Sequence, residues 1–260
     1  MHHIKVWLRL AKINFSKIYT TSRVESFLLV FGKLFRFGFF LIFIVSLLSG
    51  VKTLAGFSMY QIILFFLTYN FIDLTVQFFL RGIYNVRGYI RAGAIDLILT
   101  QPINVFFRVA SDWIDFLDLL TLIPVMVILG FVMVNVPNLS LLSLVAYIAL
   151  IFNALLIAFS IHLVIFGISL ISEETSGEIW IYRDFMSIGR FPVDIFSPAF
   201  SFVLTYILPI GIMITFPTKI LTGALSTQAV FIAFAIGGIF YLSSLTFFKY
   251  ALRKYSSISS

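Results

Sequence analysis

Cysteine is absent from this 260-residue chain, histidine occurs three times, and charged residues make up only 11% of it. Without a thiol there is no disulfide, no thiolate nucleophile and no cysteine-based metal site. His2 and His3 lack a third ligand for a metal. Soluble domains carry about 25% charged residues, so a chain this poor in charge cannot cover a water-facing globule. A large soluble enzyme, a nucleic-acid-binding domain and a disordered tail are therefore excluded as the main body. The sequence also lacks Gly-x-x-x-x-Gly-Lys-Ser/Thr, the backbone cradle and lysine that hold ATP phosphates. Any ATP hydrolysis then belongs to a separate polypeptide. No Ser/His/Asp set, paired intramembrane carboxylates or metal-spaced cluster stands out, and the chain reads as non-catalytic, needing no cofactor of its own.

What is present is apolar. Hydrophobic residues make up 61% of the chain and aromatics 18%, with a mean hydropathy of +1.08. This composition predicts an all-α polytopic membrane protein with lipid as the solvent for most side chains. Runs long enough to cross a bilayer fall at 27–49, 59–80, 113–134, 141–171, 198–216 and 228–248. That gives about six transmembrane helices, the fourth longer than one crossing needs. The net charge is +7, and its placement at the ends of apolar runs points to lipid headgroups rather than nucleic acid. With the N-terminus inside, fourteen of the eighteen Lys and Arg fall on cytoplasmic segments, Arg183 and Arg190 among them, and only Lys52 and Lys219 lie outside. Both termini are thus expected in the cytoplasm. No cleavable signal peptide is evident, and no internal repeat is visible.

One domain over 1–260 is expected. Residues 1–26 contain an interfacial helix, with Ile4, Trp7, Leu8, Ala11, Phe15 and Ile18 on one arc and Lys5, Arg9 and Lys12 on another. Ser22 and Glu25 have the spacing of a capping box for the next helix. Residues 81–111 form a basic, amphipathic cytoplasmic loop with a predicted apolar stripe of Ile90, Ala94, Leu97 and Ile98. Residues 172–197, acidic at first, form a second cytoplasmic segment. Pro209 kinks the fifth span, and 217–227 is a possible outer re-entrant turn.

Polar residues inside spans carry a functional reading by default. Asn70, Asp73 and Gln77 share one face of the second span and are candidates for the translocation path. The plainer alternative is a satisfied interhelical hydrogen-bond cluster. Lys33 and Arg36 are expected to snorkel to inner headgroups. Asp112 and Asp115 suit the positive end of the third helix, and the deeper Asp118 needs a partner. His162, with Asn153 and Ser160, reads either as a proton relay or as a hydrogen-bonded packing residue.

Ile90, Arg91, Gly93, Asp96, Leu99, Pro102 and Asn104 form a pattern that resembles the cytoplasmic loop of ABC-2-type permeases, the membrane subunits of ATP-binding-cassette transporters. Residues 191–196, Pro209 and the turn at 216–219 are similar to that family's C-terminal half. The resemblance implies a six-helix transmembrane domain working as a dimer with a second copy or a related permease, in the inner (plasma) membrane of a prokaryote. It also implies a coupling helix seated in a groove of a separate ATPase subunit, which binds the ATP and magnesium. Carried onto this chain, Arg91, Gly93, Asp96, Leu99 and Pro102 transmit the ATP-driven motion, with Gly93 permitting close approach. Thr100 and Gln101 depart from the family, where an arginine is usual before the proline. An ATP-independent channel or ion-coupled carrier is the alternative function.

Overall fold

A computed structural model of the chain describes residues 2–20, 23–50, 53–54, 56–137, 139–172 and 177–255. Among these the regular structure is helical, with no strand. Five helices are long and apolar enough to cross a membrane, or six if one sharply bent pair counts as a span.

The first helix, α1 (His2–Thr20), packs Trp7 against Phe78 and Phe79 and Phe15 against Phe116. It lies across the ends of two long helices, α3 (Met59–Leu80) and α7 (Phe116–Val134). Ile4, Leu8 and Phe15 remain exposed, as an interfacial helix requires. Ser22, the expected cap residue, lies outside the described residues. The next helix, α2 (Arg23–Ser49), is largely exposed, and Phe27, Phe31, Phe35 and Phe39 stack along it at i, i+4 spacing. Their exposure fits an apolar solvent.

Helix α3 starts at a capping box in which Ser58 and Gln61 satisfy each other's backbone N–H groups. It passes through a 3₁₀ turn (Arg81–Asn85) into α4 (Val86–Arg91). Beside it runs α8 (Leu141–Ile171), 31 residues or about 46 Å long. The contacts Thr68–Tyr147, Tyr84–His162 and Arg87–Ser169 show the two running parallel. A hydrocarbon core of about 30 Å cannot hold that length, and the level of α1 beside Phe78 leaves the last turns of α8 beyond it. Parallel to α8 runs α12 (Thr227–Lys254). Asn153 donates to the Ala233 carbonyl (2.9 Å) and sits against Gly237, while Gly167 meets Phe247 and Ala251. Small residues let the two backbones approach closely.

The third span starts at Phe116, three residues later than expected, because Asp115 caps α7 by accepting from the Leu117 and Asp118 N–H groups (3.0 and 3.4 Å).

The fifth span departs further from expectation. Residues 198–216 are not one kinked helix. They begin a pair, 198–207 and 211–221, bent by 83° around Pro209. The first arm opens with α10 (Pro198–Phe202), both arms contain π-helical stretches (Val203–Ile207 and Gly211–Thr215), and α11 (Phe216–Leu221) continues the second. The bend shares a cavity of about 350 Å³ with Ile161, Ile165, Tyr182 and Phe240. Lys219, near the other end of the pair, pairs with Asp194 (2.6 Å) and lies over the Phe57 ring, just before α3. The pair is therefore a hairpin entering from the end of the bundle opposite the termini. Re-entry starts near Pro198, and Pro217, Thr218 and Leu221 are buried helix rather than a separate outer turn.

Nor do residues 172–197 stay at one end. The helix α9 (Glu178–Ile188) starts beside Arg87 and Ser169, sets Arg183 against Asp73, and leads to Arg190 over Phe40 and Tyr69. Asp194 then meets Lys219 at the far end. This segment crosses the bundle, and its charges, paired or laid on aromatic rings inside, hide it from a hydropathy reading. Arg183 and Arg190 therefore leave the set of end-facing basic residues, which falls to twelve of eighteen. Residues 173–176, the acidic part of the same segment, lie outside the described residues.

Candidate functional site

The loop joining α3 to α7 is built rather than slack. Gly93 has φ +65°, a left-handed conformation that side chains resist. It reverses the chain between α4 and α5 (Ala94–Leu99). A Cβ at Gly93 would meet nothing in the chain, so its local role is the turn. Asn104 then caps α6 (Val105–Ala110), its side chain accepting from the Phe107 N–H at 3.0 Å. The two legs of the loop touch at Gly82, where an added Cβ would come to 2.0 Å from the Val109 carbonyl oxygen. The Tyr89 hydroxyl donates to Asp112, which also receives Arg108 at 2.6 Å. Asp112 thus closes the base of the loop instead of facing a helix dipole.

Ile90, Ile95 and Ile98 are buried, and Phe106 packs against Phe159, Phe166 and Phe248 of α8 and α12. Leu97, of the predicted apolar stripe, parts from Ile90 and Ile98 and is 70% exposed, and Leu99 is 44% exposed. Six-residue helices are too short for the 3.6 period to fix a face. Of the expected coupling residues, Arg91, Leu99 and Pro102 are exposed on the rim, beside Thr100 and Gln101. Asp96 is half-buried beside Tyr255 at the end of α12. Burial, reinforced by this carboxylate, pushes the Tyr255 phenol up to about 12.

A second polar constellation lies inside the bundle, between α2, α3, α7 and α9, around a cavity of about 130 Å³. The face predicted on α3 lines it, with most of its groups satisfied. Arg183 donates to Asp73, Gln77 donates to Asp73 (2.9 Å) and Arg81 donates to Gln77 (2.7 Å). Asn70 donates to the Phe66 carbonyl (2.7 Å). Lys33 does not snorkel to headgroups. It donates to Asp118 at 2.7 Å and to Asp115 at 3.2 Å, supplying the partner that Asp118 needed. A paired charge avoids the cost that an isolated one has in lipid. Arg183, Arg190 and Asp118 join the site, and the signal for them was charge balance: intramembrane carboxylates require cations.

The remaining polar residues do not converge. His162 is fully buried between Tyr84 and Tyr182, its Nδ1 2.8 Å from the Ala158 carbonyl. Asn153 and Ser160 each donate to a different backbone carbonyl, so the three form no relay.

Compared with known proteins, residues 34–259 match the model of a family described as "ABC-2 family transporter protein". No individually curated protein matches the chain.

Proposed function

We propose, from the premise that this chain belongs to the ABC-2 family of transporters and is a membrane-spanning permease subunit of one, that it exports its substrate by alternating access. The family partners with an ATP-binding-cassette ATPase, so the chain itself is not the ATPase. In our reading ATP and magnesium sit on that partner, two permeases (identical or related) form the translocating unit, and the assembly sits in the inner membrane of a prokaryote. The basic end, with both termini and the 81–111 loop, faces the cytoplasm.

The observation that carries the reading is the form of the loop. A stiff base at Gly82, Tyr89 and Asp112 supports a tip whose Leu97 and Leu99 are exposed. Large apolar side chains at the tip of a rigid element suit a groove on a partner. When the ATPase subunits close, the loop passes their motion to α3 and α7. Arg91, Gly93, Asp96, Leu99 and Pro102 act as contact or shape residues in this transfer, and Asn70, Asp73 and Gln77 border the path.

Co-expression with a candidate ATPase subunit and reconstitution into liposomes tests the proposal. ATP-dependent efflux that requires both polypeptides is expected, and Gly93→Val should separate hydrolysis from efflux. Transport by the lone chain on an ion gradient, indifferent to ATP, would overturn it.

A further inference from the structure

The cavity between α2, α3, α7 and α9 carries more positive charge than its carboxylates balance. Its walls hold Lys33, Arg36, Arg183 and Arg190 against Asp73 and Asp118. Adding the groups bonded to these, Asp115 on Lys33 and Arg81 through Gln77, gives five cations and three carboxylates. Among the described residues, three of these five cations, Arg36, Arg81 and Arg190, have no carboxylate within ion-pair distance, and Arg81 is spent on the Gln77 amide. Arg190 lies over the rings of Phe40 (5.3 Å) and Tyr69 (5.7 Å), and Arg36, one helical turn beyond Lys33, lines the cavity and is exposed. Both lie farther into the bundle than α1, whose Trp7 marks the level of Phe78 and Phe79. Unbalanced guanidinium groups at such depth are costly and mark a site that expects a counter-charge.

A second cavity of about 470 Å³ adjoins the first. Asn14 of α1, Glu25, Arg81 and Trp113 line it, and Lys33 belongs to both. It lies under the interfacial helix, at the level where headgroups sit. A headgroup there reaches Arg36 and Arg190, neither of which is paired with a carboxylate, by way of the shared Lys33.

We propose that the cavity binds one anionic group of the phosphate class through Arg36 and Arg190, entering from the vestibule beneath α1. A guanidinium offers a planar donor fork that matches phosphate oxygens, and the volume suits a compact group. This deepens the transport reading by naming the chemistry of the cargo, though the binding step needs no ATPase. The group arrives either on a lipid or on a water-soluble phosphate.

The test uses the purified full chain in nanodiscs of phosphatidylcholine alone, or doped with phosphatidylglycerol, with and without inorganic phosphate in the buffer. Native mass spectrometry counts the retained anionic lipid, and radiolabelled phosphate is counted separately. Wild-type protein should retain phosphatidylglycerol over phosphatidylcholine. Arg36→Gln with Arg190→Gln should lower retention by about tenfold or more, since each lost charge-assisted bond is worth a factor of that order. Arg36→Lys with Arg190→Lys, which keeps the charge, should recover part of it and reports on folding. Lys5→Gln with Arg9→Gln on the exposed face of α1 should leave retention unchanged. Saturable phosphate binding lost in the Gln pair, without lipid retention, supports the same site with a soluble source. Equal retention by wild type and the Gln pair with no phosphate binding, or an equal loss in the α1 pair, overturns the proposal. Binding that persists in a chain that never associates with an ATPase subunit would count against the permease reading alone.

Discussion

Arg183 and Asp73 meet from helices 110 positions apart in sequence, with side chains 21% and 10% exposed. Removing either leaves the other charge inside the bundle, which is more harmful than removing both. Asp73→Asn or Arg183→Gln alone is therefore expected to lose about 2–3 kcal/mol of stability, below the fully buried limit because the pair is partly accessible. The double variant should lose less than the sum, as read by thermal unfolding in detergent. Lys33 obeys the same logic with two carboxylates. Lys33→Met should destabilise the protein, and adding Asp118→Asn should restore part of the loss, because the removed charge is the one left without its counter-ion. Full additivity in either cycle would show that these pairs are not coupled.

Among the elements, the 81–111 loop depends on contacts that a single atom can break. Gly82→Ala drives a methyl into the Val109 carbonyl. The expected cost is about 1–3 kcal/mol, concentrated at the loop's base. Limited proteolysis should cut the variant within 81–111 while the long helices stay intact. Leu97→Asp with Leu99→Asp leaves the base untouched and should weaken association with the ATPase subunit by about tenfold or more, a loss of at least ~1.4 kcal/mol. Unchanged affinity in a pull-down titration would move the docking surface elsewhere. These elements also show what a sequence reading can reach. Long apolar helices such as α3, α8 and α12 were legible because hydropathy is a sum over many residues, and the family motif located the loop. The direction of Leu97 was not, because a six-residue helix offers too little periodicity. The crossing at α9 was hidden for the opposite reason. Its charges look solvated until Asp73, Phe40, Tyr69 and Lys219 are placed opposite them, and those lie far away in the chain. The bend at Pro209 was visible as a kink, but its 83° depends on π-helical stretches on both sides that have no local signature.

On the scale of the whole molecule, the chain divides its labour along one axis. Apolar, largely exposed surfaces such as α2 face lipid, polar groups converge between α2, α3, α7 and α9, and a stiff loop projects from the end that carries the termini. The hairpin of 198–221 closes the opposite end. In the proposed function, transport depends on force applied at the loop by an ATPase subunit. The most direct measurement is the amount of ATP-binding-cassette ATPase retained when the full chain is gently solubilised from its native membrane and captured. The account predicts stoichiometric retention that falls about tenfold or more when Leu97 and Leu99 are both changed to Asp. A wild-type chain that captures no ATPase, yet carries substrate across liposomes unaided, would contradict it.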